Sequence, residues 1–294
     1  MPEANKTRLN PELLVETDWL AAHLDDPDLR VFDATTVLVP DPELEYRVEG
    51  DRDGWAAGHI PGAGYVNCQD DLSVTPHEHR FMLQQPADFA ARAGALGIGD
   101  DTRVVFYSRT QPFWATRAWW AFYAMGFDGG MVLHGGYAKW VADGHPVSTE
   151  DTPLPPATFT ARPRREVIFD KDAVRAVLDD PDVAVVNALS AEQFHGTGGL
   201  VFGRPGRIAG STNAPYADVC NMETGIFADA PTLRRIFDAA GATPDRKVVN
   251  YCGGGISATL AFFAQKALGY EDVALYDASM QEWGKDETLP METG

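Results

Sequence analysis

The sequence predicts an α/β fold made of two homologous domains, each of them a small doubly wound parallel sheet. Three observations support this prediction: the chain length, an internal repeat, and short apolar segments that alternate with helical patterns. A chain of 294 residues is long for one compact core and comfortable for two. Continuously apolar strands, such as residues 183–186, suit a parallel sheet that is covered on both faces.

The internal repeat consists of four pairs of segments that occur in the same order in both halves. Each pair shares one pattern: a helix end and turn before a strand, a glycine turn, a strand before a helix, or a closing stretch that ends in tryptophan. The pairs are residues 24–34 and 178–188, 58–63 and 206–211, 103–108 and 247–252, and 134–140 and 277–283. The third pair places Ser108 where the second copy has Cys252, and we expect helices to follow over 115–126 and 257–269.

The segment between the two copies has the composition of a linker. Residues 144–163 are rich in proline, threonine and serine, and Pro153, Pro155 and Pro156 lie close together. Such a composition favours an extended conformation. The predicted organisation is a first domain over 1–147, a linker over 148–163 and a second domain over 164–294.

The acidic composition excludes several classes of partner. The formal net charge of −19 repels nucleic acid phosphates and anionic membrane surfaces, so we expect neither as a partner. The start of the chain lacks the pattern of a signal peptide, and no run of about 18 apolar residues occurs, which predicts a soluble, cytoplasmic protein. The 3 cysteines are too few and too widely spaced for a disulfide framework or a structural zinc site. No metal or organic cofactor is implied.

The strongest candidate for a catalytic group is Cys252. It follows the predicted strand 247–251 and precedes three glycines, and a helix is expected to begin near Ser257 or Ala258. Ligands of open α/β sheets bind at this carboxyl end of the strands. A glycine loop can turn its N–H groups toward the sulfur, and the helix N-terminus adds positive potential, so both favour the thiolate. The alternative is that Cys252 is a small buried residue at a tight turn.

The order of these features resembles the tandem-domain rhodaneses. Residues 55–63 (WAAGHIPGA) are similar to the first signature of that family, and residues 274–283 (ALYDASMQEW) to its second. The second half resembles the active domain, and the first half, with Ser108, resembles the inactive one. The resemblance implies a sulfurtransferase in which Cys252 holds a sulfane sulfur as a persulfide. A small-molecule donor supplies that sulfur, and cyanide or a thiol accepts it.

The loop after Cys252 also indicates the donor. Its sequence CGGGIS is closer to the CGSGVT loop of 3-mercaptopyruvate sulfurtransferases than to the CRKGVT loop of thiosulfate enzymes. A dianion such as thiosulfate profits from cationic side chains on the loop, and this loop has none. We therefore expect 3-mercaptopyruvate as the donor, with thiosulfate as the alternative. The residues expected to bind substrate are Gly253, Gly254, Gly255, Ile256 and Ser257.

Three departures from the family pattern affect this assignment. Gly254 replaces a serine that the family is thought to use in proton transfer. Leu189 and Gln193 stand where the family usually has arginine. Arg207 and Ala209 replace the histidine and proline of the second glycine turn.

Other residues could supply what is missing. Arg204 or Arg207 could hold a donor carboxylate through two hydrogen bonds, or could be surface arginines. His79 falls near the place where mercaptopyruvate enzymes contribute a histidine from the first domain. It could relay a proton there, or be a solvated surface residue.

The remaining candidates are interpreted as structural. Cys68 and Cys220 have no glycine loop beside them and are expected to be partly buried. The aromatic run over residues 113–123 is expected to form core and interface. A cysteine phosphatase would need an arginine at Ala258, which excludes that class. A rhodanese-like module that only binds a partner or carries sulfur stays open.

Overall fold

The computed structural model describes residues 8–41 and 45–294, with Glu45 described by its backbone alone. The expectation that the chain begins without a signal peptide falls on residues 1–7, which lie outside this range. The elements of the first half alternate between strands and helices. They are β1 (Leu14–Val15), α1 (Thr17–His23), β2 (Leu29–Asp33), β3 (Thr36–Asp41), β4 (Glu45–Gly50), α2 (Arg52–Ala57), β5 (Gly64–Tyr65), α3 (Pro86–Ala95), β6 (Arg103–Tyr107), α4 (Phe113–Ala124), β7 (Gly130–Leu133) and α5 (Gly136–Ala142).

The second half continues after a stretch, residues 144–164, that contains no helix and only one isolated bridge, between Ser148 and His59. A short 3-10 turn at Arg165–Val167 precedes its first strand. The elements are β8 (Ile168–Phe169), α6 (Lys171–Val177), β9 (Val183–Asn187), α7 (Ala191–His195), β10 (Arg207–Ile208), β11 (Thr212–Asn213), α8 (Tyr216–Val219), α9 (Ala230–Ala239), β12 (Lys247–Tyr251), α10 (Ala258–Ala267), β13 (Val273–Tyr276), α11 (Met280–Trp283) and β14 (Met291–Glu292).

Each half forms one five-stranded sheet, and the two sheets have the same topology. The order is β1-β7-β6-β2-β5 in the first half and β8-β13-β12-β9-β11 in the second. All neighbouring strands within these sheets are parallel. The predicted pair of parallel α/β domains is therefore confirmed.

The register of the central strands repeats as well. Asp33 pairs with Tyr107 in the first sheet, and Asn187 pairs with Tyr251 in the second. Each tyrosine hydroxyl accepts a main-chain N–H from the glycine turn of its own half. The next residue along the chain is Ser108 in one copy and Cys252 in the other. Both therefore lie at the carboxyl end of an equivalent strand.

The two halves meet through the equivalent helices α4 and α10. The hydroxyl oxygens of Thr116 and Thr259 lie 2.7 Å apart across this interface. The ring centroids of Trp119 and Phe263 are 4.9 Å apart. This part of the aromatic run is core and interface, as the sequence predicts. Within the described ranges, no helix is both long and apolar enough to cross a bilayer.

One feature of the first half has no counterpart in the predicted repeat. Strands β3 and β4 pair antiparallel as a hairpin apart from the five-stranded sheet. Its residues Leu38 and Tyr46 reach the carboxyl end of β12, in the other half. The hairpin therefore brings the first domain to the candidate site.

Candidate active site

The base of the Cys252 loop is held by the closing stretch of the second half. Cys252 is buried, with 2% of its surface exposed. Its N–H donates to the hydroxyl of Ser279 at 3.0 Å, and its carbonyl accepts the N–H of Met280 at 3.1 Å. The carbonyl of Gly253 accepts the N–H of Gln281 at 2.8 Å. The second signature of the sequence thus fixes where Cys252 lies.

The three glycines of the loop differ in how far the structure requires them. Gly255 has φ of 72°, and a Cβ there would overlap the carbonyl oxygen of Asp277. A Cβ on Gly253 would overlap the ring of Phe202. A Cβ on Gly254 would meet nothing closer than the Gln281 amide at 3.5 Å, which is ordinary contact. Gly255 is therefore required by its φ and by the backbone of Asp277, a side chain at Gly253 would require the Phe202 ring to move, and Gly254 has space for a Cβ.

The loop carries N–H groups that make no hydrogen bond within the described part of the chain. Across the described part of the chain, none of the N–H groups of residues 253–257 donates to another residue. Helix α10 begins directly afterwards, and its N-cap Ser257 makes no side-chain capping bond. Free N–H groups in a loop at a helix N-terminus form an anion site. They are available to a persulfide anion or to the oxygens of a sulfur donor.

A buried arginine of the first half, Arg117, binds the backbone of the loop after Cys252. Arg117 of α4 donates from Nη1 to the carbonyl of Gly255 at 3.0 Å and to Oδ1 of Asp277 at 2.7 Å. Its Nη2 donates to the carbonyl of Phe81. The other oxygen of Asp277 accepts the N–H of Leu83 at 2.9 Å. Both side chains of the ion pair are almost fully buried, and the pair joins the two halves at the loop after Cys252.

The backbone next to Phe81, whose carbonyl accepts from Arg117, makes further contacts with the second half. The Gln281 side chain accepts the N–H of Arg80 at 3.1 Å and donates to its carbonyl at 2.9 Å. Sequence reasoning missed this support for the loop. The available signal was a single arginine within the otherwise apolar run of α4, because a charge there must find a buried partner.

Cys252 opens into a cavity between the two halves. The cavity has a volume of about 170 Å³. No lysine, arginine, histidine or carboxylate occurs among the described residues that line it. Its lining residues are Leu38, Tyr46, Phe81, Phe113, Trp114, Leu189, Gln193, Leu200, Phe202, Tyr216, Cys252, Gly253, Gly254, Ile256 and Ser257.

The lining contains both positions at which the family usually carries arginine. Leu189 and Gln193 both lie in the wall of the cavity into which Cys252 opens. The Gln193 amide accepts the N–H of Ser190 and donates to the carbonyl of Leu200. It closes the capping box of α7. The wall is therefore neutral where the family places a cation.

The structure does not bring Arg204 or Arg207 to this cavity. The guanidinium of Arg204 donates to four main-chain carbonyls, those of Trp283, Gly284, Asp286 and Leu289. Arg207 donates to the carbonyl of Gly294 at 2.9 Å and pairs with Glu292 at 3.3 Å. Both side chains bind the C-terminal residues, and neither is among the residues that line the Cys252 cavity, so a role for them as the missing cation stays a prediction without support from this geometry.

His79 lies in a different cleft from Cys252. Its Nε2 is 4.0 Å from a carboxylate oxygen of Glu282, and its Nδ1 is buried with no partner among the described residues. Burial lowers the pKa of this imidazole. Because His79 is absent from the lining of the Cys252 cavity, its expected role as a proton relay at the sulfur is not supported by the geometry.

The other cysteines are placed as structural residues. Cys68 and Cys220 are buried free thiols. Burial raises the pKa of the Cys68 thiol to about 12 and raises that of Cys220 as well. Both are poor nucleophiles, because the thiolate is the reactive form.

The copy of the loop in the first half is built differently. Ser108 is followed by Arg109 and Thr110 in place of glycines, and the Ser108 hydroxyl accepts the N–H of Thr110 at 3.2 Å. The N–H of Gly135, near Ser108, donates to the carbonyl of Gly225 in the second half, so the second half covers the Ser108 end of the first sheet.

The position at which a phosphatase would need an arginine is Ala258, and this residue is fully buried.

Comparison with known proteins points to one domain type in both halves. The profile of the Rhodanese-like domain matches residues 16–143 and 170–286. Sulfur carrier protein TtuD of Thermus thermophilus is 32% identical over 306 residues, covering 97% of this chain and 98% of that protein. The probable 3-mercaptopyruvate sulfurtransferase of Pseudomonas aeruginosa is 32% identical over 286 residues, covering 96% and 98%. The structure of the Escherichia coli 3-mercaptopyruvate sulfotransferase SseA superposes with a TM-score of 0.79 at 28% identity, covering 90% and 98%.

Proposed function

Since this chain belongs to the Rhodanese-like domain family and is a sulfurtransferase, we propose that it takes sulfur from 3-mercaptopyruvate as a persulfide on Cys252 and passes it to a thiophilic acceptor. One observation carries the proposal. Cys252 opens into the cavity between the halves and is followed by a loop whose N–H groups have no acceptor among residues 8–41 and 45–294. Such a loop stabilises an anionic sulfur without a neighbouring base.

In the first step the Cys252 thiolate attacks the sulfur of 3-mercaptopyruvate. A sulfur–sulfur bond forms and the carbon–sulfur bond of the donor breaks. The electron pair of that bond stays on the departing carbon as an enolate, which takes the proton that the donor thiol gives up. The products are the Cys252 persulfide anion and pyruvate, so charge and protons balance. Covalent capture divides the transfer into two easier steps.

In the second step the acceptor attacks the outer sulfur of the persulfide. With cyanide, a carbon–sulfur bond forms, the sulfur–sulfur bond breaks, and thiocyanate leaves while Cys252 returns to the thiolate. The loop N–H groups can serve the anion at both stages, because Cys252 carries its charge on sulfur both as the persulfide and as the thiolate. Preorganised donors of this kind need no rearrangement during the reaction.

The neutral cavity supports a monoanionic donor over a dianionic one. Moving an ion out of water costs a free energy that rises with the square of its charge, unless a cation compensates. The described lining holds no cation for thiosulfate. A single carboxylate can be served by the free N–H groups of the loop. We therefore place 3-mercaptopyruvate ahead of thiosulfate.

We also place this chemistry in the cytoplasm, with cyanide or small thiols as acceptors. All three cysteines are free thiols, which suits a reducing compartment. The net charge of −19 disfavours nucleic acids and anionic membranes as partners.

The test is to supply 3-mercaptopyruvate or thiosulfate with cyanide, and to follow thiocyanate together with the mass of the intact protein. We expect turnover with 3-mercaptopyruvate and a one-sulfur adduct that Cys252→Ser abolishes. Cys68→Ser and Cys220→Ser are matched controls that should keep both. An adduct that persists in Cys252→Ser, or no adduct with either donor, would contradict the proposal, and the second result would favour a carrier role.

A further inference from the structure

The cavity beside Cys252 has aromatic walls that come from both halves. Phe113 is the first residue of α4, and Tyr216 is the first residue of α8 in the other half. Their ring centroids lie 6.3 Å apart with the planes at 86°, an edge-to-face arrangement. Trp114, Leu189 and Phe202 continue the wall toward the loop. Two domains thus cooperate to build an apolar surface next to the sulfur.

The polar groups of the lining are few, and the main one is already occupied. The Gln193 amide is used by Ser190 and Leu200, as described above. The guanidinium of Arg80 stacks on the ring of Tyr46 at 4.1 Å, but Arg80 is not among the residues that line the cavity. The described lining side chains that carry a hydroxyl are uncharged, and they belong to Tyr46, Tyr216 and Ser257. A charged body would therefore lose its water there without gaining a charged side-chain partner.

The dimensions of the cavity fit one ring. An apolar cavity of about 150 Å³ holds a benzene-sized ligand, and this one measures about 170 Å³. Cys252 is 2% exposed, so the flat surface of another protein does not reach its sulfur. The mouth continues the apolar character, because Leu38 and Leu200 are each 42% exposed. The space suits a small molecule better than a protein surface.

We infer that the cavity selects, as sulfur acceptor, a small thiol with an apolar and preferably aromatic body. This inference rests on the proposed persulfide of Cys252 and names the class of acceptor that follows it. The acceptor ring packs against the Phe113 and Tyr216 rings, which already contact each other, and its thiol reaches the loop. Apolar walls favour such a body because it leaves water without losing hydrogen bonds.

The transfer is balanced without an added oxidant. The acceptor thiol loses its proton to solvent, and its thiolate attacks the outer sulfur of the Cys252 persulfide. A new sulfur–sulfur bond forms on the acceptor, and the bond between the Cys252 sulfur and the outer sulfur breaks. Its electron pair leaves with Cys252 as a thiolate. The product is the persulfide anion of the acceptor.

Binding is tested first, on the resting enzyme and without any sulfur donor. The probe is 2-phenylethanol, which has the shape of an aromatic thiol but cannot accept sulfur. We expect it to slow alkylation of Cys252 by iodoacetamide at least fivefold, measured by intact mass. Ethylene glycol and lactate at the same concentration should slow it less than twofold. Equal protection by all three compounds, or none by 2-phenylethanol, would overturn the inference.

Acceptor preference is tested next, on enzyme loaded with sulfur by inorganic polysulfide. The acceptors are 2-phenylethanethiol, 2-mercaptoethanol and 3-mercaptopropionate, with each rate divided by that thiol's rate toward a small persulfide in solution. We expect at least a tenfold preference for 2-phenylethanethiol. Tyr216→Ala should reduce this preference at least fivefold, and Tyr216→Phe, which keeps the ring, should retain it. A flat acceptor profile would overturn the inference.

The two tests separate this inference from the proposed function. Neither uses 3-mercaptopyruvate, so failure of that donor leaves both results interpretable. Conversely, an enzyme that forms its persulfide from 3-mercaptopyruvate but shows no protection by 2-phenylethanol would keep the proposed function and lose this inference.

Discussion

At the scale of single residues, Asp33 and Asn187 occupy the same position in the two copies. Each is fully buried at the end of a central strand. Oδ1 of Asp33 accepts the N–H of Thr35 at 2.9 Å, and Oδ1 of Asn187 accepts the N–H of Leu189 at 2.7 Å. The second oxygen of Asp33 has no partner among the described residues. Burial raises the pKa of the Asp33 carboxyl to about 6.

This burial predicts that Asp33→Asn stabilises the protein at neutral pH. The folded state keeps the Asp33 proton up to about pH 6, whereas an unfolded aspartate loses it near pH 4. The folded state therefore binds more protons between these values, and stability falls as pH rises through them, by roughly 3 kcal/mol at most. Asparagine removes that loss, as Asn187 does in the other copy.

The measurement is urea unfolding of both proteins at several pH values. At pH 7 the variant should be more stable than the parent by about 1–3 kcal/mol. The gain can fall below about 3 kcal/mol because burying the new amide N–H₂ group without a hydrogen-bond acceptor costs free energy. The difference should vanish near pH 4, where both side chains are neutral. A gain that is the same at both pH values would contradict the electrostatic cause.

Single residues were unevenly predictable from the sequence. Cys252 could be proposed as the nucleophile from the sequence because the cysteine, its glycines and the following helix start are neighbours along the chain. Leu189 and Gln193 were located by a motif and do lie in the cavity wall. Arg204 could not be assigned in advance, because its four carbonyl partners lie some 80 residues further along the chain.

At the scale of elements, the catalytic loop is the segment with the tightest geometry. Gly255 is in the left-handed region and lies against the Asp277 carbonyl, whereas Gly254 has space for a methyl group. Any non-glycine residue at a left-handed position costs about 1–2 kcal/mol, before any overlap is relieved. The two glycines therefore form a matched pair for substitution.

We expect Gly254→Ala to form the Cys252 persulfide at a rate within about threefold of the parent. Gly255→Ala should lose at least about 2 kcal/mol of stability and form the persulfide at least tenfold more slowly, because the loop must move away from Asp277. Thermal unfolding and the rate of the one-sulfur mass shift measure these effects. Equal rates in the two variants would show that the loop does not depend on this geometry.

Elements with strong local patterns were predicted well. Helices α4 and α10 end just before Gly126 and Gly269, each with φ of 89°, close to the ends that their sequences indicate. The hairpin of β3 and β4 was not predicted. It occurs in one half only, so the repeat gives no signal for it.

At the scale of the whole molecule, the buried pair of Arg117 and Asp277 couples the first half to the catalytic loop. Both side chains are at most 3% exposed. Removing one partner of such a pair leaves a buried charge without compensation, which costs about 3–5 kcal/mol. The same arginine also holds the carbonyl of Gly255, so the loop should lose its support.

We therefore expect Arg117→Met to lower the free energy of unfolding by about 3–5 kcal/mol and to slow persulfide formation at least tenfold. Adding Asp277→Asn should recover part of the stability, because the uncompensated charge is removed. Arg52→Met is the matched control, since its pair with Asp151 is exposed on both sides and should cost less than about 1 kcal/mol. Urea unfolding and the mass shift are the readouts. A stable, fully active Arg117→Met would contradict this coupling.

The sequence by itself determined the two-domain α/β architecture, the sulfurtransferase family and the candidate nucleophile. These follow from signals that are local or repeated: apolar strands, glycine turns, and a cysteine next to its own loop and helix. The domain boundaries over 1–147 and 164–294 stay a prediction.

Only the tertiary structure decided what surrounds the sulfur. Residues from both halves form the cavity walls and the separate cleft that contains His79. The contact between Arg117 and Asp277 also joins the halves, and it spans 160 positions of the chain. The physical reason is that a cavity wall forms only when elements that are distant in the sequence pack together. The aromatic pattern of α4 predicts a buried helix whether the Phe113 ring packs in the core or lines the cavity.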